Sequence, residues 1–113
     1  MIRGRIAHVS HCDDHHLAAL YRHARFAVYP SMYEGWGLGV TEALAHGKRS
    51  IVASGSSLAE ASFGTAHEVH PLVTEQWVDA MSERFQVADA PADMELPTWA
   101  DSAAQLIDLV STR

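Results

Sequence analysis

The stretch Pro30-Ser31-Met32-Tyr33-Glu34-Gly35-Trp36-Gly37-Leu38-Gly39-Val40-Thr41-Glu42-Ala43-Leu44 decides how this chain is read. Glu34 and Glu42 have seven residues between them, among them Gly35, Gly37 and Gly39. The apolar run Phe26-Ala27-Val28-Tyr29 leads in and a helical pattern from Leu38 to His46 leads out. The order is therefore strand, glycine-rich loop, helix. In a parallel α/β protein that junction can receive a phosphate, because the first backbone N–H groups of a helix have no intrahelical partner and point at an anion. The two carboxylates cannot themselves hold a phosphate, since like charges repel. They suit neutral hydroxyls on either side of it, and a ligand with hydroxyls flanking a diphosphate is a nucleotide sugar.

Working outward, Arg5-Ile6-Ala7-His8-Val9 alternates and predicts a short strand. Asp13 or Asp14 can N-cap a helix whose apolar face is Leu17, Leu20, Tyr21 and Ala24. Gly47 stands where a left-handed residue would end the helix 38–46. Ser50-Ile51-Val52-Ala53 predicts a further strand, Ser54 to Ser57 a small-residue loop, and Leu58 to Phe63 a short helix closed by Gly64. Residues 66–70 predict a strand ended by Pro71, and Val73, Trp77, Val78, Met81 and Phe85 share one helical face. The acidic, proline-bearing segment 86–97 reads as a linker. Thr98 caps a last helix, 98–111, with Asp101 three residues on and Ala103, Leu106, Ile107 and Val110 as the stripe expected to be buried. Strands alternating with helices imply an α/β fold with a parallel sheet. No internal repeat or low-complexity tract is present.

At 113 residues the chain is one domain at most. Its 48% hydrophobic and 19% charged residues are ordinary for a compact protein. A formal charge of −6, with the 8 Lys and Arg scattered, argues against nucleic acid or an anionic membrane as partner. The single cysteine, Cys12, excludes an intrachain disulfide. No apolar run approaches the ~20 residues of a membrane span, and Met1-Ile2-Arg3-Gly4-Arg5 is too short and polar for a secretory signal. A cytoplasmic location is the plain expectation. His11, Cys12, Asp13, His15 and His16 are metal-ligand types, but their spacing fits no C-x2-C or H-E-x-x-H pattern, and no metal site is expected.

The central stretch resembles the E-x7-E signature of retaining family-4 glycosyltransferases, the group 1 glycosyl transferases of two-domain GT-B fold. The likeness extends to the helix Asp13 to Ala24, to Tyr29-Pro30-Ser31 at the strand end, and to Glu42-Ala43-Leu44-Ala45-His46-Gly47. Ser57-Leu58-Ala59-Glu60 and Trp99 to Leu109 are similar to further family segments, so the match covers most of residues 5–110. It implies a partial Rossmann-like sheet flanked by helices, the C-terminal portion of a donor-binding domain, occupying residues 1–113 as a single unit. It also implies a nucleotide-diphosphate sugar as donor substrate, without a cofactor or a tightly held catalytic metal.

The resemblance assigns Glu34 to hydroxyls of the donor sugar, as the catalytic position, and Glu42 to the ribose hydroxyls, which a carboxylate can accept as a pair. Gly35, Trp36, Gly37 and Leu38 complete the donor-binding set, the glycines leaving room for close backbone approach. Trp36 either packs to shape the loop or stacks on the ligand. Ser54 to Ser57 either touch a phosphate or form a plain polar loop. His70 and Arg49 depart from the family's more frequent Asp and Pro.

Family members also carry an upstream segment with an Arg and a Lys that neutralise the diphosphate, and an N-terminal acceptor domain. Neither is found in these residues, so the resemblance implies a chain that needs a missing domain or second chain and is inactive as a transferase by itself. The alternative is a non-catalytic α/β nucleotide- or partner-binding module derived from a glycosyltransferase. By the same resemblance, the strand 5–9 is the third, and 26–29 the fourth, of a doubly wound sheet in which two strands would lie between them. Strand 5–9 is then expected either to pair directly with 26–29, or to leave edges that join two chains in a homodimer.

Overall fold

A computed structural model describes residues 5–87 and 95–112. In chain order the elements are α1 (Asp14–His23), β1 (Ala27–Tyr29), α2 (Leu38–Ala45), β2 (Ser50–Ala53), α3 (Leu58–Ala61), β3 (His67–Val69), α4 (Thr74–Gln86) and α5 (Trp99–Ser111). The three strands form a parallel sheet of order β1-β2-β3, with Val28 opposite Ile51 and Val52 opposite Glu68.

The central position of β2 follows from its composition. All four of its residues are buried, as expected of a strand covered on both faces, and its side chains alternate between two separate clusters. Val52 packs with Val40, Leu58 and Ala61, so α2 and α3 cover one face. Ile51 packs with Val69 and Ala80, joined by Phe26, Trp77 and Met81, so α4 covers the other. The result is an α/β/α layering of Rossmann-like kind. On α4 only part of the expected face turns inward. Trp77 and Met81 reach the core around Ala80, whereas Val78 and Phe85 remain exposed, Phe85 meeting Phe26 edge-on at 5.0 Å.

Capping residues set several boundaries. Asp13 accepts from the His16 N–H at 2.8 Å to start α1. Gly47, at φ 73°, takes the left-handed conformation after α2, and its N–H donates to the Leu44 carbonyl. Thr98 and Asp101 close a reciprocal capping box at the start of α5. Among the described residues, no helix is long and apolar enough to cross a membrane.

Three expectations are corrected. Residues 5–9 form no strand and are exposed throughout; among the described residues β1 pairs only with β2, so no neighbour there supplies the hydrogen-bond ladder that alternation alone cannot. The direct pairing of 5–9 with 26–29 is therefore absent, and β1 is an edge. The stripe Ala103, Leu106, Ile107 and Val110 is not buried: α5 has no buried residue, because both sheet faces are already occupied by α2, α3 and α4. On α1, Leu20 is 52% exposed, and no residue of that helix is fully buried. Of the linker 86–97, Gln86 belongs to α4 and residues 88–94 lie outside the described residues.

Candidate donor site at the glycine loop

The loop 30–37 leaves the C-terminal end of β1, where open parallel sheets present their ligand crevices. It runs over the β2–α3 loop and enters α2 through Gly37. Gly37 is the N-cap, with φ 96° and ψ 52°, and makes no side-chain capping bond. Its carbonyl accepts from the Val40 and Thr41 N–H groups at 3.0 and 3.4 Å. Because the cap has no side-chain acceptor, it leaves the Leu38 and Gly39 N–H groups without a capping bond, which suits them to an anion.

The three glycines serve different purposes. A Cβ on Gly37 would approach Leu58 Cδ2 to 2.8 Å, and one on Gly39 would approach Tyr29 Cε1 to 2.7 Å. Both are needed for internal packing. A Cβ on Gly35 would meet nothing within 4 Å, so this glycine alone faces open space. Glu34 is exposed on the loop, and Glu42 is exposed on α2, one turn beyond Leu38. Trp36 packs edge-on against Phe63, with ring centroids 6.4 Å apart, yet remains 40% exposed. Leu38 opens α2 and is also exposed. Trp36, Leu38, Thr41 and Phe63 line one wall of an open groove of about 620 Å³, and Pro97 and Trp99 line the other.

Supporting contacts join residues far apart in sequence. The Ser57 hydroxyl donates to the Glu34 carbonyl at 3.0 Å, tying the serine loop to the glycine loop. The Ser56 hydroxyl accepts from the Leu58 N–H at 3.3 Å, and the Thr41 hydroxyl donates to the Ala61 carbonyl at 3.0 Å, fastening α2 to α3. Behind the loop, the Tyr29 hydroxyl donates to the Gly39 carbonyl at 2.7 Å. Tyr21 lies 2.9 Å from the Tyr29 oxygen and 3.2 Å from the same carbonyl. Burial first, then the hydrogen bond with Tyr21 and the charges of Tyr21 and Glu42, push the Tyr29 phenol far above its ordinary range. It remains a donor at any working pH. The motif alone gives no sign of Tyr21, Tyr29, Thr41 or Ser57; only the apolar pattern of α1 and β1 marks the tyrosines, and it marks them as core.

Elsewhere, His70 and Gln76 shape the entry to α4: the His70 Nδ1 accepts from the Leu72 N–H at 3.2 Å and Gln76 accepts from the His70 N–H at 2.7 Å. The imidazole thus does locally what a carboxylate would do in a tight turn. In the histidine-rich N-terminal segment, Asp13 is engaged by His16, Nδ1 to Oδ1 3.0 Å. Among the described residues, no three His, Cys, Asp or Glu side chains gather so as to hold a metal ion.

This loop and helix, at the C-terminal edge of a parallel sheet, belong to a known class. Residues 1–83 match the family described as glycosyl transferases group 1, and the chain is a member of that family. Over 57 residues it is 40% identical to O-antigen chain mannosyltransferase B of Escherichia coli. That alignment covers 50% of this chain and 15% of the length of the relative. No solved structure matches the chain.

Proposed function

We propose that this chain is the donor-binding portion of a retaining family-4 glycosyltransferase, and that it binds a nucleotide-diphosphate sugar at the loop 34–38 and the start of α2. The carrying observation is the Gly37 N-cap, which has no side-chain acceptor and lies between two exposed carboxylates, Glu34 and Glu42. The diphosphate sits on the helix N-terminus. Glu34 accepts from hydroxyls of the hexose, and Glu42 accepts from the ribose 2′- and 3′-hydroxyls. Gly35, where a Cβ would stand in open space, lets the donor approach the backbone. The mannosyltransferase relative favours a hexosyl donor.

Residues 30–44 contain no Lys, Arg or His, so the motif holds only the helix dipole to stabilise a departing diphosphate. Binding without efficient transfer is therefore the behaviour proposed for the isolated chain. The same observation favours a second reading, a nucleotide-binding module that has lost the reaction. Turnover of a donor by the chain joined to an acceptor domain separates the two.

Calorimetric titration with uridine, guanosine and adenosine diphosphate hexoses tests the site. Glu42→Ala should weaken binding by about 1–3 kcal/mol, the cost of leaving ribose hydroxyls unpaired. Glu34→Ala should weaken the sugar nucleotide more than the bare nucleoside diphosphate. Equal binding by wild type and both variants would refute the assignment.

A further inference from the structure

Tyr29 and Tyr21 form a closed hydroxyl network on the backbone of α2. Tyr29 has one phenolic proton, and its shortest contact, 2.7 Å, is to the Gly39 carbonyl. The Tyr21 proton is then shared between the Tyr29 oxygen at 2.9 Å and the same carbonyl at 3.2 Å. Tyr21 is itself braced, its ring stacked on His46 with centroids 5.1 Å apart and planes 20° from parallel. The His46 Nδ1 in turn lies 2.9 Å from the Glu42 carbonyl. The carbonyls of residues 39 and 42 are thus both engaged by one cluster that spans α1, β1 and α2. The contact is specific to glycine at 39, since a Cβ there would overlap the Tyr29 ring.

We propose that the Tyr29 hydroxyl is a positioning group for the donor site: by holding the Gly39 carbonyl it fixes the first turn of α2 and, through it, the direction in which Glu42 meets the ligand. This rests on the donor-site reading above. Apolar packing of the ring could hold β1 against α2 without any hydroxyl, as phenylalanine would. The hydroxyl adds direction, because a hydrogen bond constrains angle as well as distance. Glu42 is exposed on α2, so the direction of its side chain follows from that of the helix backbone.

The test is a double-mutant cycle between Tyr29→Phe and Glu42→Ala, read by titration with the diphosphate hexose that wild type binds best. Tyr29→Phe retains the ring and should lower affinity about 3- to 10-fold, as the ordering of one hydrogen bond implies. In the Glu42→Ala background the same change should lower affinity less than 2-fold, because the group being positioned is gone. A general structural role would lower both equally, with a parallel fall in melting temperature. Additive losses, or a Tyr29→Phe protein that binds as wild type while Glu42→Ala is weakened, overturn this proposal and leave the donor site standing. A folded wild type that binds none of the three donors overturns both.

Discussion

The Tyr29 ring fills the space that a side chain on Gly39 would need, its Cε1 only 2.7 Å from where a Cβ would stand. The two residues are ten apart in sequence, one on the edge strand and one in the first turn of the helix that follows the glycine loop. A Gly at this position therefore reflects strand-to-helix packing and only indirectly the ligand. Of the three motif glycines, Gly35 alone has open space where a Cβ would stand.

Substitution should separate these roles. Gly39→Ala gains about 1 kcal/mol of helix propensity, but it overpacks against a ring held by hydrogen bonds, at a cost of about 1–3 kcal/mol. A net loss of stability is expected in thermal or urea unfolding. Gly35→Ala should change stability by less than about 0.5 kcal/mol. A Gly39→Ala protein as stable as wild type would mean that Tyr29 can swing away freely.

The core and the last helix should respond in opposite ways. Leu58 is 1% exposed between α2 and β2, and Leu58→Ala should cost about 2–5 kcal/mol through lost burial and the cavity left behind. Ile107 is 66% exposed on α5, and Ile107→Ala should stay within about 0.5 kcal/mol. A large loss at Ile107 would show that this stripe is covered in solution, by a second copy or another domain. Sedimentation over a concentration series would then distinguish the two.

Ser50 begins the buried central strand, and its hydroxyl has no hydrogen-bond partner among the described residues. Removing an unsatisfied buried hydroxyl relieves its desolvation penalty. Ser50→Ala should therefore leave the protein as stable or more stable, by up to about 1 kcal/mol, measured as a shift in the urea midpoint. A destabilised Ser50→Ala protein would show that the hydroxyl has a partner in solution.

The start of α5 should be acid-sensitive. The Thr98 N–H and hydroxyl donate to Asp101 Oδ2 at 2.6 and 2.7 Å, and these bonds hold the carboxyl below its usual range. A carboxylate with a depressed folded-state pKa adds stability above its unfolded pKa and loses it as pH falls through the folded value. The first turn of α5 should therefore fray as pH drops below the ordinary aspartate range, seen as faster amide exchange near residues 99–102. Thr98→Ala should expose the same amides at neutral pH. An α5 first turn equally protected at both pH values would refute the box as its anchor.

What the sequence determined by itself was what depends on near neighbours. The Asp13 cap, the left-handed Gly47 after α2 and the Thr98–Asp101 box each involve groups within about one helical turn, so they are legible as local patterns. The strand–glycine loop–helix unit and the buried run Ile51-Val52-Ala53 were legible for the same reason, and with them the parallel α/β class. Tertiary structure alone decided the rest. Alternation in Arg5 to Val9 satisfies strand periodicity, but a strand exists only where a neighbour accepts its ladder, and among the described residues β1 pairs on its β2 side alone. The apolar stripe of α5 has the right period, but burial needs a surface to meet, and both faces of the sheet were already covered. The hydroxyls of Tyr21 and Tyr29 found the Gly39 carbonyl, and Ser57 that of Glu34, only because the sheet brought together segments up to 23 residues apart. Hydrogen bonds of that reach leave no periodic trace in a sequence, because their partners are chosen by the fold and not by chain distance.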